Sequence, residues 1–464
     1  MSRQRERSFE YTDKTILVVG AGKSGIAALS LLHRMGARGI LYDGNEALTK
    51  TALSKKHPEA MKGVDFYAKQ IPEEALETVH AAVLSPGVPV DTGFAKELSD
   101  RGIPLSGEIE LAYLAEQGEL LAITGTNGKT TTTSLVGEIM KAYKEKVFVV
   151  GNIGEPYTEK VWDSTPESES VAEISSFQLE TISTFHPHVS AILNITPDHL
   201  NRHHTMECYA AMKERIAENQ TKQDFCVLNY EDPYTRDFGE HRCGAKVLWF
   251  SSKRKLEDGW YLEGDTVFEA EKGQKRALLN IHEDMNLVGI CNVENVMAAI
   301  AMTKAAGVPE QVILDAVKQF KAVEHRIEFV RSVKGVDYYN DSKATNPDAA
   351  IQGIRAMSRP TILIGGGYDK GNEYDVWLKE AKEKTKLLVL IGQTADKIEE
   401  CARKHGITDI LRAESFEECL KLCTANAVPG DAVLLSPACA SWGMFDNYEQ
   451  RGHLFKEYVC RLEQ

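Results

Sequence analysis

The run Thr124-Gly125-Thr126-Asn127-Gly128-Lys129-Thr130-Thr131-Thr132 carries the strongest chemical signal in the sequence. Its small residues let successive backbone N–H groups point at phosphate oxygens, Lys129 has the reach to meet β- and γ-phosphates, and the Thr130 hydroxyl can ligate Mg²⁺. The spacing departs from G-x-x-x-x-G-K-[ST], because Ile123 stands where the first glycine would be. That departure weighs against a generic ATPase or GTPase. A helix-capping turn without ligand is the competing reading of the run taken alone.

Other residues gain meaning from this loop. Glu173 and His199 each follow a strand candidate, so both belong on the ligand edge of the same sheet as Lys129. A carboxylate suits Mg²⁺, whereas histidine is an uncommon partner for a hard cation. Lys213, alone, reads as a surface lysine. Asn340-Asp341-Ser342-Lys343-Ala344-Thr345-Asn346 packs acceptors, donors and a cation into a strand exit, as a site for a charged ligand does; a plain loop is the alternative. Residues 436–452, SPACASWGMFDNYEQRG, have the same character. No activating base accompanies Cys439 there, so it reads as structural. Gly20-Ala21-Gly22-Lys23-Ser24-Gly25 follows a strand and opens a helix, and Asp43 ends the next strand, which fits a dinucleotide-binding fingerprint. Any nucleotide diphosphate could use that turn, and a ligand-free β-α turn is also open.

These motifs must be presented by strands and helices, and the chain supplies them in alternation. Apolar β-branched runs at 16–19, 40–42 and 81–84, at 120–123, 147–150, 171–174, 189–193 and 225–228, and at 336–339, 361–364, 387–391 and 432–435 alternate with helical patterns such as 26–35, 130–141 and 206–219. This predicts an α/β fold with mostly parallel sheets. At roughly 150 residues per domain, 464 residues make about three units. Boundaries are placed at 1–107, 108–322 and 323–464, the first and last Rossmann-like, the middle of P-loop type, with residues 242–283 as strand-and-turn decoration and 292–320 as a helical stretch. Lys and Arg number 54 against 68 Asp and Glu, a net charge of −14, so no general attraction to nucleic acid or anionic membrane is expected. No run approaches the ~18 apolar residues of a membrane span, and no signal-like apolar stretch follows the basic start, so a cytoplasmic protein is expected. The 9 cysteines are scattered, without the paired spacing of a four-ligand zinc site or a disulfide framework.

The motif set resembles the Mur ligases, ATP-dependent amide-forming enzymes of peptidoglycan precursor synthesis, and within them the D-glutamate-adding branch. The resemblance covers nearly the whole chain: GTNGKTTT, GNIG, EISSFQLE from Glu173, ITPDHLNRH from Ile195, EHRIE from Glu324, NDSKATN and the C-terminal SPACASWGMFDNYEQRG. It implies three domains, for the uridine nucleotide, ATP and the incoming amino acid.

Carried over residue by residue, the resemblance implies that Gly22, Lys23, Ser24 and Asp43 contact UDP, with Ser85, Gly87, Asn152, Ser175 and Gln178 along the rest of UDP-N-acetylmuramoyl-L-alanine. Gly125, Thr126, Asn127, Gly128, Lys129, Thr130 and Thr131 would hold ATP phosphates, with Asn292, Asn295, Arg326 and Asp341 on its base, ribose and phosphates. Two Mg²⁺ are implied, one at Thr130 and one at Glu173 and His199, aided by Lys213 as a carbamate. Lys343, Thr345, Lys370, Ser441 and Tyr448 would surround D-glutamate. Two departures are visible: the family's histidine before the first ATP-contacting asparagine is Cys291 here, and Tyr448 stands where relatives carry Phe. Catalytic roles fall to Lys129, His199 and Lys213. A monomer that closes around its substrates is expected. The alternatives are a folylpolyglutamate-synthetase-like ligase, which leaves the N-terminal unit unexplained, and an NAD-dependent dehydrogenase, which leaves residues 125–132 idle. A regulatory GTPase lacks an N-K-x-D run, and an inactive nucleotide-binding scaffold would make Lys129 dispensable.

Overall fold

The computed structural model describes residues 10–463. They form an α/β fold with three sheets in two compact units: the described part of Met1–Asn280 with Glu294–Val317, and Ile281–Val293 with the described part of Lys318–Gln464.

The first unit holds two sheets. One comprises β1 (Thr15–Val19), β2 (Arg38–Asp43), β3 (Asp65–Ala68), β4 (Ala81–Leu84) and β5 (Leu105–Gly107), all parallel in the order β3-β2-β1-β4-β5. Val19 lies opposite both Tyr42 and Leu84, so Gly20, Asp43 and Ser85 leave the sheet along one edge. The second sheet comprises β6 (Glu119–Thr124), β7 (Val147–Gly151), β8 (Glu169–Glu173), β9 (Val189–Ile192), β10 (Phe225–Asn229), β11 (Lys246–Ser251), β12 (Gly259–Glu263), β13 (Thr266–Glu271) and β14 (Gln274–Asn280). Its order is β14-β13-β12-β11-β10-β9-β6-β8-β7, parallel except for the β12–β14 meander. Ile123 pairs with Glu173, Glu173 with Gly151, and Thr124 with Ile192, which levels the ends of four strands around Gly125.

Residue 107 ends β5, yet the core continues across it. The helix Glu108–Ala115 buries Ile109, Leu111, Ala112 and Ala115 in one apolar cluster with Leu29 and Leu32 of the helix Lys23–Arg34 and Tyr157 of the helix Tyr157–Lys160. Apolar area removed from water there, at about 25 cal/mol per Å², ties the first two sheets together.

The second unit holds β15 (Glu328–Val333), β16 (Val336–Asn340), β17 (Thr361–Gly365), β18 (Thr385–Ile391), β19 (Ile410–Ala413) and β20 (Ala432–Leu435), in the order β15-β16-β20-β17-β18-β19. Only β15 runs antiparallel. Leu435 lies opposite Asn340 and Ile364, so Asp341, Gly365 and Ser436 also share an edge.

Several elements differ from the sequence expectation. The helical stretch 292–320 is two helices, Ile290–Ala305 and Glu310–Gln319, because Gly307 adopts φ +83° and Pro309 cannot continue a helix. The stretch 206–219 is helical over Met206–Glu214 and then tightens to a 3-10 turn, Arg215–Ala217. Among the described residues no helix is long and apolar enough to cross a membrane.

Candidate active site

The loop after β6 is shaped by two glycines at positive φ, Gly125 at +150° and Gly128 at +85°. A Cβ on Gly128 would meet Asn295 Oδ1 at 2.2 Å, so only glycine lets the helix Ile290–Ala305 bring this asparagine against the loop. Asn194, just past β9, braces the loop: its Oδ1 accepts from the Asn127 N–H at 2.8 Å and its Nδ2 donates to the Asn127 carbonyl at 3.1 Å. Thr126 donates to the Thr196 carbonyl and accepts from the Thr196 N–H. Thr130 and Thr131 are buried in the first turn of the helix Lys129–Tyr143. That N-terminus presents backbone N–H groups and the positive end of the helix dipole to an anion.

Lys129 Nζ folds back onto the Gly125 and Thr126 carbonyls, at 2.8 and 2.9 Å. Lys213, on the helix Met206–Glu214, reaches the same Gly125 oxygen at 2.8 Å and lies 4.6 Å from the centre of the Tyr209 ring. Its side chain is 1% exposed, so the surface-lysine reading is wrong for it. Burial, reinforced by the charge of Lys129, pulls its ammonium well below the ordinary lysine range.

Glu173 closes β8 and is buried. Its backbone carbonyl accepts from the Asn152 N–H, and its Oε1 accepts from Asn152 Nδ2 at 2.9 Å. Its Oε2 has no hydrogen-bond partner among the described residues. A buried carboxylate oxygen left open is what a divalent cation requires. His199 sits at φ +53° capping the short helix Leu200–His203, with Asp198 Oδ2 3.5 Å from its Nε2 and the Phe177 ring 4.8 Å away. Partial burial lowers its pKa, which keeps a nitrogen lone pair available.

The edge of the first sheet is built for close approach. A Cβ on Gly25 would stand 1.8 Å from the Gly20 carbonyl, so the turn tolerates nothing larger. Asp43 Oδ2 accepts from the Ala21 N–H at 2.7 Å, and Ser85 donates to the Gly20 carbonyl at 3.3 Å. Gly22 and Lys23 are exposed at the helix start, Ser24 is half-buried, and Gly87 is exposed. Lys23 Nζ meets the Gly154 carbonyl at 3.1 Å. Ser175 and Gln178 form a capping box on the helix Ser176–Leu179, and Gln178 Nε2 donates to Glu108 Oε1 at 2.7 Å. Leu84, Ser85, Glu108, Phe177 and Gln178 line one small cavity.

In the second unit the NDSKATN run leaves β16 as expected, and Asn346 caps the helix Pro347–Ala356. Asp341 is buried; Ser436 donates to it at 2.7 Å and the Ile327 N–H at 3.2 Å, while burial raises its pKa to about 7. Lys343 Nζ lies 5.3 Å from the Tyr448 ring centre, and Lys370 Nζ 4.7 Å from that of Trp442. Ser441 is buried and Thr345 half-buried. Asn292 donates to the Val288 carbonyl, and Arg326 also belongs to this unit. Cys439 is fully buried against Tyr374 and Thr394, as a structural residue should be.

The family model for the Mur ligase middle domain matches residues 123–303, and that for the Mur ligase glutamate ligase domain matches residues 325–439. A relative from Lachnospira eligens, named UDP-N-acetylmuramoylalanine–D-glutamate ligase, is 58% identical over 450 residues, 97% of this chain and 99% of its own. The chain belongs to the Mur ligase family. A second relative of the same name, from Lachnoclostridium phytofermentans, is 52% identical over 98% of this chain and 99% of its own. Among solved structures, the MurF ligase of Thermotoga maritima in complex with ADP matches at a TM-score of 0.59 and 17% identity, over 99% of this chain and 98% of that one, a likeness of fold.

Several supports of this Mur ligase site carry no signal in the sequence. Asn194 lies between strand and motif with no pattern of its own. Arg202, within ITPDHLNRH, pairs with Glu180 through Nε at 2.9 Å and donates to the Val88 carbonyl at 3.0 Å, bracing the Pro86-Gly87 turn. Arg451, within the quoted C-terminal run, is buried and donates to Ser342 Oγ, the Ser342 carbonyl and the Cys439 carbonyl at 3.0, 2.7 and 3.2 Å. A lone arginine in a polar run gave no sign of burial.

Proposed function

We propose that this Mur ligase joins D-glutamate to UDP-N-acetylmuramoyl-L-alanine at the expense of ATP, in cytoplasmic peptidoglycan precursor synthesis. The name shared by relatives at 58% and 52% identity supports the substrates. The observation that carries the chemistry is the convergence of Lys129 and Lys213 on Gly125, with the open Glu173 oxygen on the paired strand. The three sheets serve, in chain order, the uridine nucleotide, ATP and the amino acid. Gly22, Lys23, Ser24, Asp43, Ser85, Gly87, Asn152, Ser175 and Gln178 take the first; the loop with Asn292, Asn295, Arg326 and Asp341 takes the second; Lys343, Thr345, Lys370, Ser441 and Tyr448 take the third.

A carboxylate in water is a poor electrophile, so its oxygen must become a leaving group. The alanyl carboxylate of the nucleotide substrate attacks the γ-phosphorus of ATP, giving an acyl phosphate and ADP. The D-glutamate amine then adds to the acyl carbon, loses a proton, and inorganic phosphate departs. Lys129 leaves its two carbonyls to meet the transferring phosphoryl group, and the N–H groups at the start of its helix hold the phosphates. Such catalysis is mostly positioning and electrostatic stabilisation.

Thr130, Glu173 and His199 are the residues that would hold Mg²⁺, with Lys213 contributing after modification; the ions would offset charge on the phosphates. The donor set fits: the open Glu173 oxygen is a hard ligand, and His199 keeps a lone pair. Lys213 suits carbamylation because burial favours its neutral amine, whose nitrogen bonds the carbon of CO₂ and releases a proton. The product is an anion beside Lys129, in place of a second cation.

Phosphate release from ATP, measured with UDP-N-acetylmuramoyl-L-alanine and D-glutamate, L-glutamate, L-lysine or no amino acid, tests the proposal. Release should require D-glutamate. Equal release without it would overturn the assignment.

A further inference from the structure

Two clusters of metal-ligating side chains occur among the described residues of the second unit, Glu324–His325–His453 and Asp375–Cys401–His405, each with its ligand atoms within 4.8 Å of one another. The first is arranged for hydrogen bonding. Nδ1 of His325 accepts from Asn340 Nδ2 at 2.9 Å, and the amide cannot turn round, because its Oδ1 accepts from the Ser342 N–H while Nδ2 also donates to Glu328. The neutral ring therefore carries its proton on Nε2, where a metal would need a lone pair. Lys456 Nζ, 2.8 Å from Glu324, already supplies the cation.

In the second cluster His405 Nε2–H also faces a carboxylate, but Nδ1 has no hydrogen-bond partner among the described residues, so the proton can move there and free Nε2 for a metal. We propose that Asp375, Cys401 and His405, in the second unit, bind one thiophilic divalent cation of the zinc class. Cys401 and His405 are four residues apart at the end of the helix Ala395–Lys404, a spacing that stacks both side chains on one face. Asp375 opens the neighbouring helix Asp375–Ala381, and its Oδ1 is 3.0 Å from His405 Nε2. Cys401 is buried, and its sulfur lies within 4.8 Å of the Asp375 and His405 ligand atoms. One sulfur, one nitrogen and one oxygen suit zinc and its cobalt substitute, whereas Mg²⁺ and Ca²⁺ take oxygen. Metal bonds of about 2.0–2.3 Å place tetrahedral ligands about 3.3–3.6 Å apart, within reach of small side-chain rotations, and the fourth position is left to water.

Of the neighbouring cations, Lys404 pairs with Glu400 at 2.8 Å while its charge still reaches Asp375 and Cys401, and Lys397 pairs with the Asn372 carbonyl at 2.6 Å and with Glu373. In the ion-free chain His405 hydrogen-bonds Asp375, and burial with the Asp375 carboxylate pushes the Cys401 thiol up to about 11. That thiol is no nucleophile. When the ion binds, the Cys401 sulfur exchanges its proton for the metal, the proton passes to solvent, and the His405 ring proton moves to Nδ1. Bound metal would pin two helix ends together and stabilise the folded unit by mass action.

The test is a Co²⁺ titration of the metal-stripped full chain, followed by optical absorption, with Zn²⁺ as competitor. One equivalent should develop a thiolate-to-cobalt charge-transfer band that Zn²⁺ abolishes. Cys401→Ser should lose the band, and His405→Ala and Asp375→Asn should weaken binding at least about tenfold, with circular dichroism confirming that each variant folds. Zn²⁺ should raise the Tm of the parent chain and leave that of Cys401→Ser unchanged. Co²⁺ at Thr130, Glu173 and His199 has no sulfur ligand and gives no such band, so the result is independent of the ligase assignment. Absence of the band, or its persistence in Cys401→Ser, overturns the proposal.

Discussion

Lys129 and Lys213 donate to one and the same oxygen, the Gly125 carbonyl, each at 2.8 Å. Two ammonium groups at that spacing repel, and one is fully buried, so the pair gains when Lys213 becomes neutral or anionic. Arginine cannot form a carbamate. Lys213→Arg should lower kcat by on the order of 100-fold or more, and protein equilibrated with ¹³C-bicarbonate should show one carbamate resonance that the variant lacks. Full activity in Lys213→Arg would refute the role.

Glu173→Gln keeps an acceptor for Asn152 but removes the charge from the open oxygen. The Mg²⁺ concentration for half-maximal ATP turnover should rise by about 10–100-fold, with the uridine nucleotide still bound. An unchanged Mg²⁺ dependence would remove Glu173 from the cation site.

Glu108 is fully buried beside Gln178, and desolvation raises its pKa to about 7, against an ordinary value of 4.5. The folded state therefore holds a proton that the unfolded chain releases, and Glu108 weakens the fold progressively as pH rises from about 4.5 to about 7. Glu108→Gln offers the same acceptor and donor without ionising. Urea unfolding should find it near neutral at pH 5 and stabilising by about 1–3 kcal/mol at pH 8. The same difference at both pH values would contradict the account.

Arg451 ties the Ser342 loop to the Cys439 carbonyl with three donors from one buried guanidinium. Lysine keeps the charge but cannot supply that planar fork. Arg451→Lys should cost about 2–4 kcal/mol of stability and raise KM for D-glutamate more than KM for ATP. Equal KM values in the two proteins would show that the clamp is not transmitted to the amino-acid site.

The strands that shape the sites were visible because β1, β4, β6 and β20 carry the apolar runs 16–19, 81–84, 120–123 and 432–435, buried on both faces, and the residues just beyond each are polar or glycine-rich. β3, DFYA, and β5, LSG, are too short and too polar to stand out, and their pairing with β2 and β4 comes from tertiary context. The glycine-rich loop after β6 stands out by local spacing alone. Lys213 became meaningful only through the family resemblance, since its burial depends on where the helix Met206–Glu214 packs, which no local pattern encodes. Asp375 lies 26 positions before Cys401 and on another helix, so sequence spacing gave no hint of their meeting.

Asn152 grips Glu173 twice, through its backbone N–H and its side-chain amide. A sugar-nucleotide that borrows the Asn152 amide must alter the hold on that carboxylate, and a cation that draws on the carboxylate must alter the amide in return. The two ligands are then thermodynamically linked: whatever factor one applies to the other's affinity is returned unchanged. With both ligands at these residues, metal affinity would be a gauge of substrate occupancy.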